Sequence, residues 1–475
     1  MDWECLVREL EVVGQQQVLR FWSELDKSGR RKLAGQLRSL DLKLIAELAE
    51  EYVRHKPALK IPQDIEPVEA YPRCADEKRR GLYKRAEKRG KQLLREGKVA
   101  AFLVAGGQGT RLGYEGPKGE FPVTPIRSKP LFQVFAEQIL ARSREFGRAI
   151  PWYIMMSDVN HARTRKFFAR HRHFGLDKAN VVFFQQGMMP AFGLDGRMLL
   201  ASKDSLALSP DGHGGSLRAL ARSGALADMK SRGIEHLSYF QVDNPLVQCI
   251  DPLFIGLHDL TDSEMSSKTI PKAGAKEKVG NFVTADRVLQ VIEYSDLPES
   301  LAKQTNGGGS LRFNAGSIAI HALRVSFIER LNAGGHLDLR WHRAKKKVAH
   351  MDETGKLVTP HKPNAVKLEQ FIFDAIPLAK HPLVYTTDRG EEFSPVKKAK
   401  GADSPARCRR DQIRRAAKWL REAGVEIPMK YGKPEAVLEI SPLYATSARQ
   451  LRSREAASGA IERGGSVYFG ADGDE

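Results

Sequence analysis

The sequence predicts an α/β fold built on a mostly parallel sheet. Three observations carry that prediction. Four short apolar runs, Val99–Ala105, Trp152–Met156, Val181–Phe184 and Leu237–Val242, have the length and continuity of strands buried on both faces. Helical patterns separate them, as in repeated strand–helix units. Polar signals follow three of the runs: a glycine-rich loop after Ala105, then Gln186, then Asp243. In such sheets ligands bind beyond the carboxyl ends of the strands.

In chain order, residues 1–95 read as a helical N-terminal region. Val18, Phe21, Trp22 and Leu25 fall at i, i+3, i+4 and i+7, and Leu33, Leu37 and Leu40 continue the stripe. A proline-containing stretch from Pro57 to Pro72 interrupts it, and a basic helix is expected over 77–96. Residues 96–400 form the α/β body. There Pro130 marks a helix start, with Phe132, Phe135, Ala136 and Ile139 on one face. A further helix is expected from about His161. Residues 401–475 are helical, then turn-rich, and read as a small C-terminal lobe. No internal repeat or low-complexity tract interrupts this order.

Composition narrows the function classes. The 475 residues are 41% apolar and 28% charged, and no run of eighteen apolar residues occurs, so no membrane-spanning helix is expected. Acids near Met1 stand where a signal peptide needs a basic region and an apolar core, which points to the cytoplasm. Cys5, Cys74, Cys249 and Cys408 are too dispersed for a disulfide framework or zinc knuckle. His171, His173, His342, His350 and His361 lack the spacing of a metal site, so surface placement is expected. The net charge is +18, with +8 falling in 78–98 and +6 in 407–421. Both segments read as helices with solvated basic faces. A nucleic-acid reading competes, but neither segment interleaves the aromatics of a single-strand binder.

The strongest local feature is Leu103-Val-Ala-Gly-Gly-Gln-Gly-Thr-Arg-Leu-Gly-Tyr-Glu-Gly-Pro-Lys118. A strand running into Gly106, Gly107 and Gly109 leaves backbone N–H groups open to converge on an anion. Arg111 and Lys118 add two cations at short range, which suits a triphosphate better than a single carboxylate. The dinucleotide fingerprint fails, because Leu112 occupies its third glycine position. That absence, with Lys118, argues against an NAD-dependent oxidoreductase. The Walker A pattern fails too, since no glycine precedes Lys-Ser or Lys-Thr at the required spacing.

This segment resembles the signature of the eukaryotic-type UDP-sugar pyrophosphorylases, and most of all their N-acetylglucosamine branch. The likeness continues in order through Gln185-Gln-Gly-Met-Met-Pro190, Pro210-Asp-Gly-His-Gly-Gly215, Val242-Asp-Asn244 and Val291-Ile-Glu-Tyr-Ser295. It extends through Phe313-Asn-Ala-Gly316, Lys362-Pro-Asn364, Phe393-Ser-Pro-Val-Lys397 and Glu439-Ile-Ser-Pro442. The resemblance implies a Rossmann-like, glycosyltransferase-A-like nucleotidyltransferase core. It implies an enzyme that joins UTP and a sugar 1-phosphate into a UDP-sugar with release of pyrophosphate. Gly106, Gly107 and Thr110 would then hold the nucleotide, while Arg111, Lys118 and Lys397 face the phosphates. Gln186, whose amide both donates and accepts, would meet the imide edge of uracil together with Gly212 and His213. Gly280, Glu293 and Asn314 would line the sugar pocket, and Asp243 would bind Mg2+. Taken alone, Asp243 also suits a helix N-cap before Asn244-Pro245, and Asn314 suits a left-handed turn.

One departure bears on the sugar. The N-acetylglucosamine branch carries Asn in Asp-Gly-Asn-Gly-Gly, where this chain has His213. Gly-His-Gly looks more like the UDP-glucose branch, whereas Asp211 and Phe313-Asn-Ala-Gly316 favour N-acetylhexosamine.

Overall fold

The computed structural model describes residues 3–55, 57, 62, 64–335, 337–454 and 461–471. Parts of the Pro57–Pro72 stretch and of the turn-rich C-terminal segment therefore lie outside the described residues. The chain divides into two compact units. One comprises Met1–Ile61, Gln186–Arg218 and Leu337–Asp374; the other comprises Pro62–Gln185, Ala219–His336 and Ala375–Glu475.

The larger unit holds a mixed sheet of ten strands among the described residues. They are β1 (Ile65–Pro67), β2 (Val99–Val104), β3 (Trp152–Met156), β4 (Val181–Gln185) and β5 (His236–Gln241). β6 (Met265–Pro271), β7 (Asn281–Ala285), β8 (Val288–Ile292), β9 (Ala315–Arg324) and β10 (Leu383–Thr386) follow. The centre runs β5–β2–β3–β4, all parallel. Its strands are continuous apolar runs because both faces are covered: Phe102, Leu103, Tyr153 and Ile154 are all 0% exposed. β9 then pairs antiparallel with β5, β6 and β7, which makes the sheet mixed rather than purely parallel.

Local chemistry sets the helices. Pro130 is the N-cap of Leu131–Phe146, and Gly147 ends that helix at φ 64 in the left-handed conformation that glycine tolerates. The next helix starts at Asp158, three residues before His161, so that an acid sits in its first turn against the positive end of the helix dipole. The basic helix spans Arg80–Arg95 and buries Tyr83, Ala86, Gly90, Leu93 and Leu94. It leaves Arg80, Lys84, Arg85 and Lys88 exposed, as is Lys78 in the turn before it, while Arg89 pairs with Asp259 and Lys91 with Glu87. The second basic segment is the helix Pro405–Glu422, capped by Ser404. Its cations tie the helix down: Arg415 donates to the carbonyls of Leu246 and Glu391, and Arg409 to that of Pro122. Behind it Trp419, Leu420, Leu438, Leu451 and Phe469 form a separate apolar cluster.

In the other unit, the helices Trp3–Val12, Lys27–Ser39 and Leu42–Leu48 share a core with Phe192, Leu200, Val366 and Leu368. A three-stranded sheet of Phe192–Gly193, Trp341–Lys346 and Ala365–Gln370 lies in the same unit. The apolar stripe Val18–Leu25 is not one helix, contrary to its periodicity. It forms two 3-10 turns, Gln16–Leu19 and Trp22–Glu24. Gln15 is fixed before them by its bonds to Gly196 and Met198, and Asp26 starts a new helix by accepting the Gly29 N–H. Short turns between two anchored points still bury Val18 and Phe21.

Candidate active site

The carboxyl ends of β2 and β5 lie side by side, with Gln241 opposite Val104. The glycine loop leaves β2 there and folds back on itself. Gly107 O accepts the Lys118 N–H at 3.0 Å, and the Gly109 N–H meets Gly116 O at 2.8 Å. A Cβ on Gly109 would stand 2.9 Å from Tyr114, and one on Gly119 2.1 Å from the Phe132 ring, so both positions require glycine. Glu120, buried beneath the loop, receives the Arg163 guanidinium at 2.7 Å and the Tyr114 hydroxyl at 3.2 Å. Asn160 anchors the start by donating to Ala105 O. Among the described residues, the amides of Gly106, Gly107 and Gln108 have no hydrogen-bond acceptor. They leave a row of open donors at the strand end, of the kind that can meet an anion.

Cations border it. The Lys118 stem passes 3.8 Å from where a Cβ on Gly107 would be. Thr110 and Arg111 are exposed, and Arg111 O accepts the Ala399 N–H at 3.0 Å. Asp243 O accepts the Val396 N–H at 2.8 Å, which brings Lys397 to the same strand end. Asp243 itself is half-buried in the turn after β5. No helix begins at Asn244, so the N-cap alternative does not hold; the next helix, Pro252–Leu260, is capped by Asp251. Asn244 instead fastens the 392–397 segment, donating to Glu392 O and accepting from the Ser394 N–H.

Gly280 and Glu293 face each other across β7 and β8, while Asn314 precedes the neighbouring β9. Asn281 pairs with both Ile292 and Gly316; the Gly280 carbonyl accepts the Ser317 N–H at 2.8 Å, and Asn314 lies on the other side of that pair, beside Lys272. β9 is antiparallel to β5, and its start lies at the end of the sheet where β5 finishes. A Cβ on Gly280 would sit 2.6 Å from Val291. Asn314 does not have a positive φ, so the left-handed-turn alternative fails. Its side-chain oxygen instead accepts the Lys272 N–H at 2.8 Å, leaving the amide NH2 to donate elsewhere. Lys272 was not singled out by sequence. It is 8% exposed, and its ammonium donates to Asn281 at 2.6 Å. Burial lowers its pKa, with Glu277 opposing the shift. A lone lysine one residue past a strand gives no sequence signal.

Gln186, Gly212 and His213 belong to the other unit. The pairing of Met188–Pro190 with Leu208–Pro210 brings the first of these near the other two, and the Asp211 N–H donates to Gly187 O at 3.2 Å. Gly212 has φ +89, and a Cβ there would stand 2.3 Å from Gln370 O. Gly187 and Gly215 both pack on the Asp211 carboxylate, at 2.1 and 2.3 Å from a notional Cβ. His213 is held firmly: its Nδ1 accepts the Ile372 N–H at 3.1 Å, and its ring stacks on Phe371. The neutral imidazole therefore carries its proton on Nε2.

The sequence profile described as UTP–glucose-1-phosphate uridylyltransferase matches residues 43–403. The chain belongs to that family. Relatives of the uridylyltransferase family span nearly its whole length. The UDP-N-acetylhexosamine pyrophosphorylase-like protein 1 of Xenopus tropicalis is 38% identical, over 94% of this chain and 93% of the relative. The UDP-N-acetylglucosamine diphosphorylase 2 of Arabidopsis thaliana is 34% identical, over 95% and 91%. The crystal structure of UDP-N-acetylglucosamine pyrophosphorylase from Trypanosoma brucei superposes with a TM-score of 0.82 at 24% identity, covering 99% of this chain and 98% of that one. That likeness shows the same fold. Among the described residues, no helix is long and apolar enough to cross a membrane.

Proposed function

We propose that this uridylyltransferase is magnesium-dependent and joins UTP to N-acetylglucosamine 1-phosphate, releasing pyrophosphate. A phosphate oxygen of the sugar 1-phosphate attacks the α-phosphorus of UTP. The bond from that phosphorus to the bridging oxygen breaks, and pyrophosphate leaves with the electron pair. Such a step requires alignment and neutralised charge rather than a covalent nucleophile.

The observation that carries the reading is the strand end itself. Backbone bonds tie the segments that carry Arg111, Lys118 and Lys397 to the ends of β2 and β5: Lys118 to Gly107, Ala399 to Arg111 and Val396 to Asp243. Donors aimed at oxygens that gain charge in the transition state lower its energy. Gln186 would read the uracil imide, with Gly212 leaving room for the ring and Thr110 adding a hydroxyl to the nucleotide loop. Glu293 and Asn314 would bond sugar hydroxyls beside Gly280.

The donor set fits magnesium. Among the described residues, no three His, Cys, Asp or Glu side chains cluster as a dedicated metal cage. Magnesium takes one or two carboxylates and completes its shell with water and substrate phosphates, and Asp243 supplies the carboxylate. When bound, the ion would neutralise phosphate charge and stabilise the leaving group.

N-Acetylglucosamine follows the names of the relatives. Glucose 1-phosphate is the second reading, favoured by His213 in its Gly-His-Gly setting. A cytoplasmic location belongs to the same proposal, and the four unpaired cysteines suit a reducing compartment. The test is magnesium-dependent pyrophosphate release from UTP with each sugar 1-phosphate. Folded protein inactive with both would refute the substrate assignment.

A further inference from the structure

The side chain of Lys268 is 0% exposed, on a strand in the middle of the larger unit. Its ammonium contacts Glu392 at 2.6 and 2.8 Å and Asp251 at 2.7 Å. Burial alone would lower the Lys268 pKa; the two carboxylates more than offset it, so the ammonium stays charged. Ion pairs this deep are weak contributors to stability, because apolar residues of the same volume would pack as well. What they supply is direction.

Glu392 is the hub of that direction. Its carboxylate also accepts the Thr387 hydroxyl at 2.7 Å and the Gln248 N–H at 3.3 Å. Its carbonyl accepts the Asn244 side chain at 2.7 Å, one residue from Asp243. Four residues later the Val396 N–H closes on Asp243 O, and Lys397 follows. Lys397 is exposed and its ammonium has no ion-pair partner among the described residues, so its position depends on this backbone.

We propose that Lys268, Asp251 and Glu392 are positioning residues that hold the 387–397 segment so that Lys397 stands beside Asp243. The role of Lys397 rests on the uridylyltransferase reading; the placement of its backbone does not.

The experiment measures hydrogen exchange and pyrophosphate release for Glu392→Gln, Thr387→Val, Lys397→Ala and the Glu392→Gln/Lys397→Ala pair. In Glu392→Gln, the Val396 and Ala399 amides should exchange at least tenfold faster while those of β2 keep their protection. Its kcat should fall about tenfold or more, with KM for UTP within twofold. The double variant should be no slower than Lys397→Ala alone, since residues acting through one another are not additive. Thr387→Val removes a bond without stranding a charge; it should shift exchange in the same direction by less, and it carries the test if Glu392→Gln does not fold. Unchanged exchange, or losses that multiply in the double variant, would overturn the proposal. Wild-type protein that releases no pyrophosphate would sink the enzymatic reading instead, and exchange would still decide the positioning role.

Discussion

In the proposed reaction, Arg111 and Lys118 are the residues assigned to neutralise phosphate charge. Each is placed by backbone bonds of the loop rather than by an ion pair. Replacing either by Ala should therefore leave the fold intact and lower kcat on the order of a hundredfold. Steady-state pyrophosphate release checks this, and unchanged turnover in a folded variant removes that residue from the site. Asp243→Asn should raise the magnesium concentration needed for half-maximal rate; an identical titration counts against a ligand role. The placement of Arg111 and Lys118 on the loop after β2, and of Asp243 after β5, was legible in sequence because the loop and the strand end are local patterns. Lys272 and His213's lock on Ile372 were not, because both depend on partners distant in the chain.

At the scale of elements, the helices Arg80–Arg95 and Pro252–Leu260 meet through two glycines. A Cβ on Gly90 would stand 1.8 Å from Pro252 O, and one on Gly256 1.8 Å from Ala86 O. Backbone cannot yield cheaply, so Gly256→Ala should cost on the order of 3 kcal/mol. Thermal unfolding reads it, and an unshifted midpoint would mean that the helices do not touch there. Buried strands were the most legible elements, since a short apolar run has few other homes. The stripe at Val18–Leu25 misled because i, i+3, i+4 spacing also satisfies successive 3-10 turns once Gln15 and Asp26 fix the ends. Nor does local periodicity record which distant segments share a core, as the first sixty residues do with 186–218 and 337–374.

For the whole molecule, acid stability should be set in part by buried histidines. His258 is 0% exposed, with Nδ1 2.8 Å from the Ser266 hydroxyl and its ring beside His236. Burial, then His236 and Arg324, depress its pKa well below the usual histidine value, with Asp259 opposing them. The unfolded chain thus binds a proton that the folded chain refuses. Stability is complete above the unfolded value of about 6.5 and falls as pH drops below it, by up to about 1.4 kcal/mol per unit for one such group. Urea unfolding at pH 7 and pH 5 should show the loss, and His258→Gln should flatten it; an equally steep variant would place the effect elsewhere. The central claim is tested most directly by pyrophosphate release from UTP and magnesium, with N-acetylglucosamine 1-phosphate compared against glucose 1-phosphate. A larger kcat/KM for the N-acetylated sugar is the predicted result. No release with either sugar, from folded protein, would contradict it.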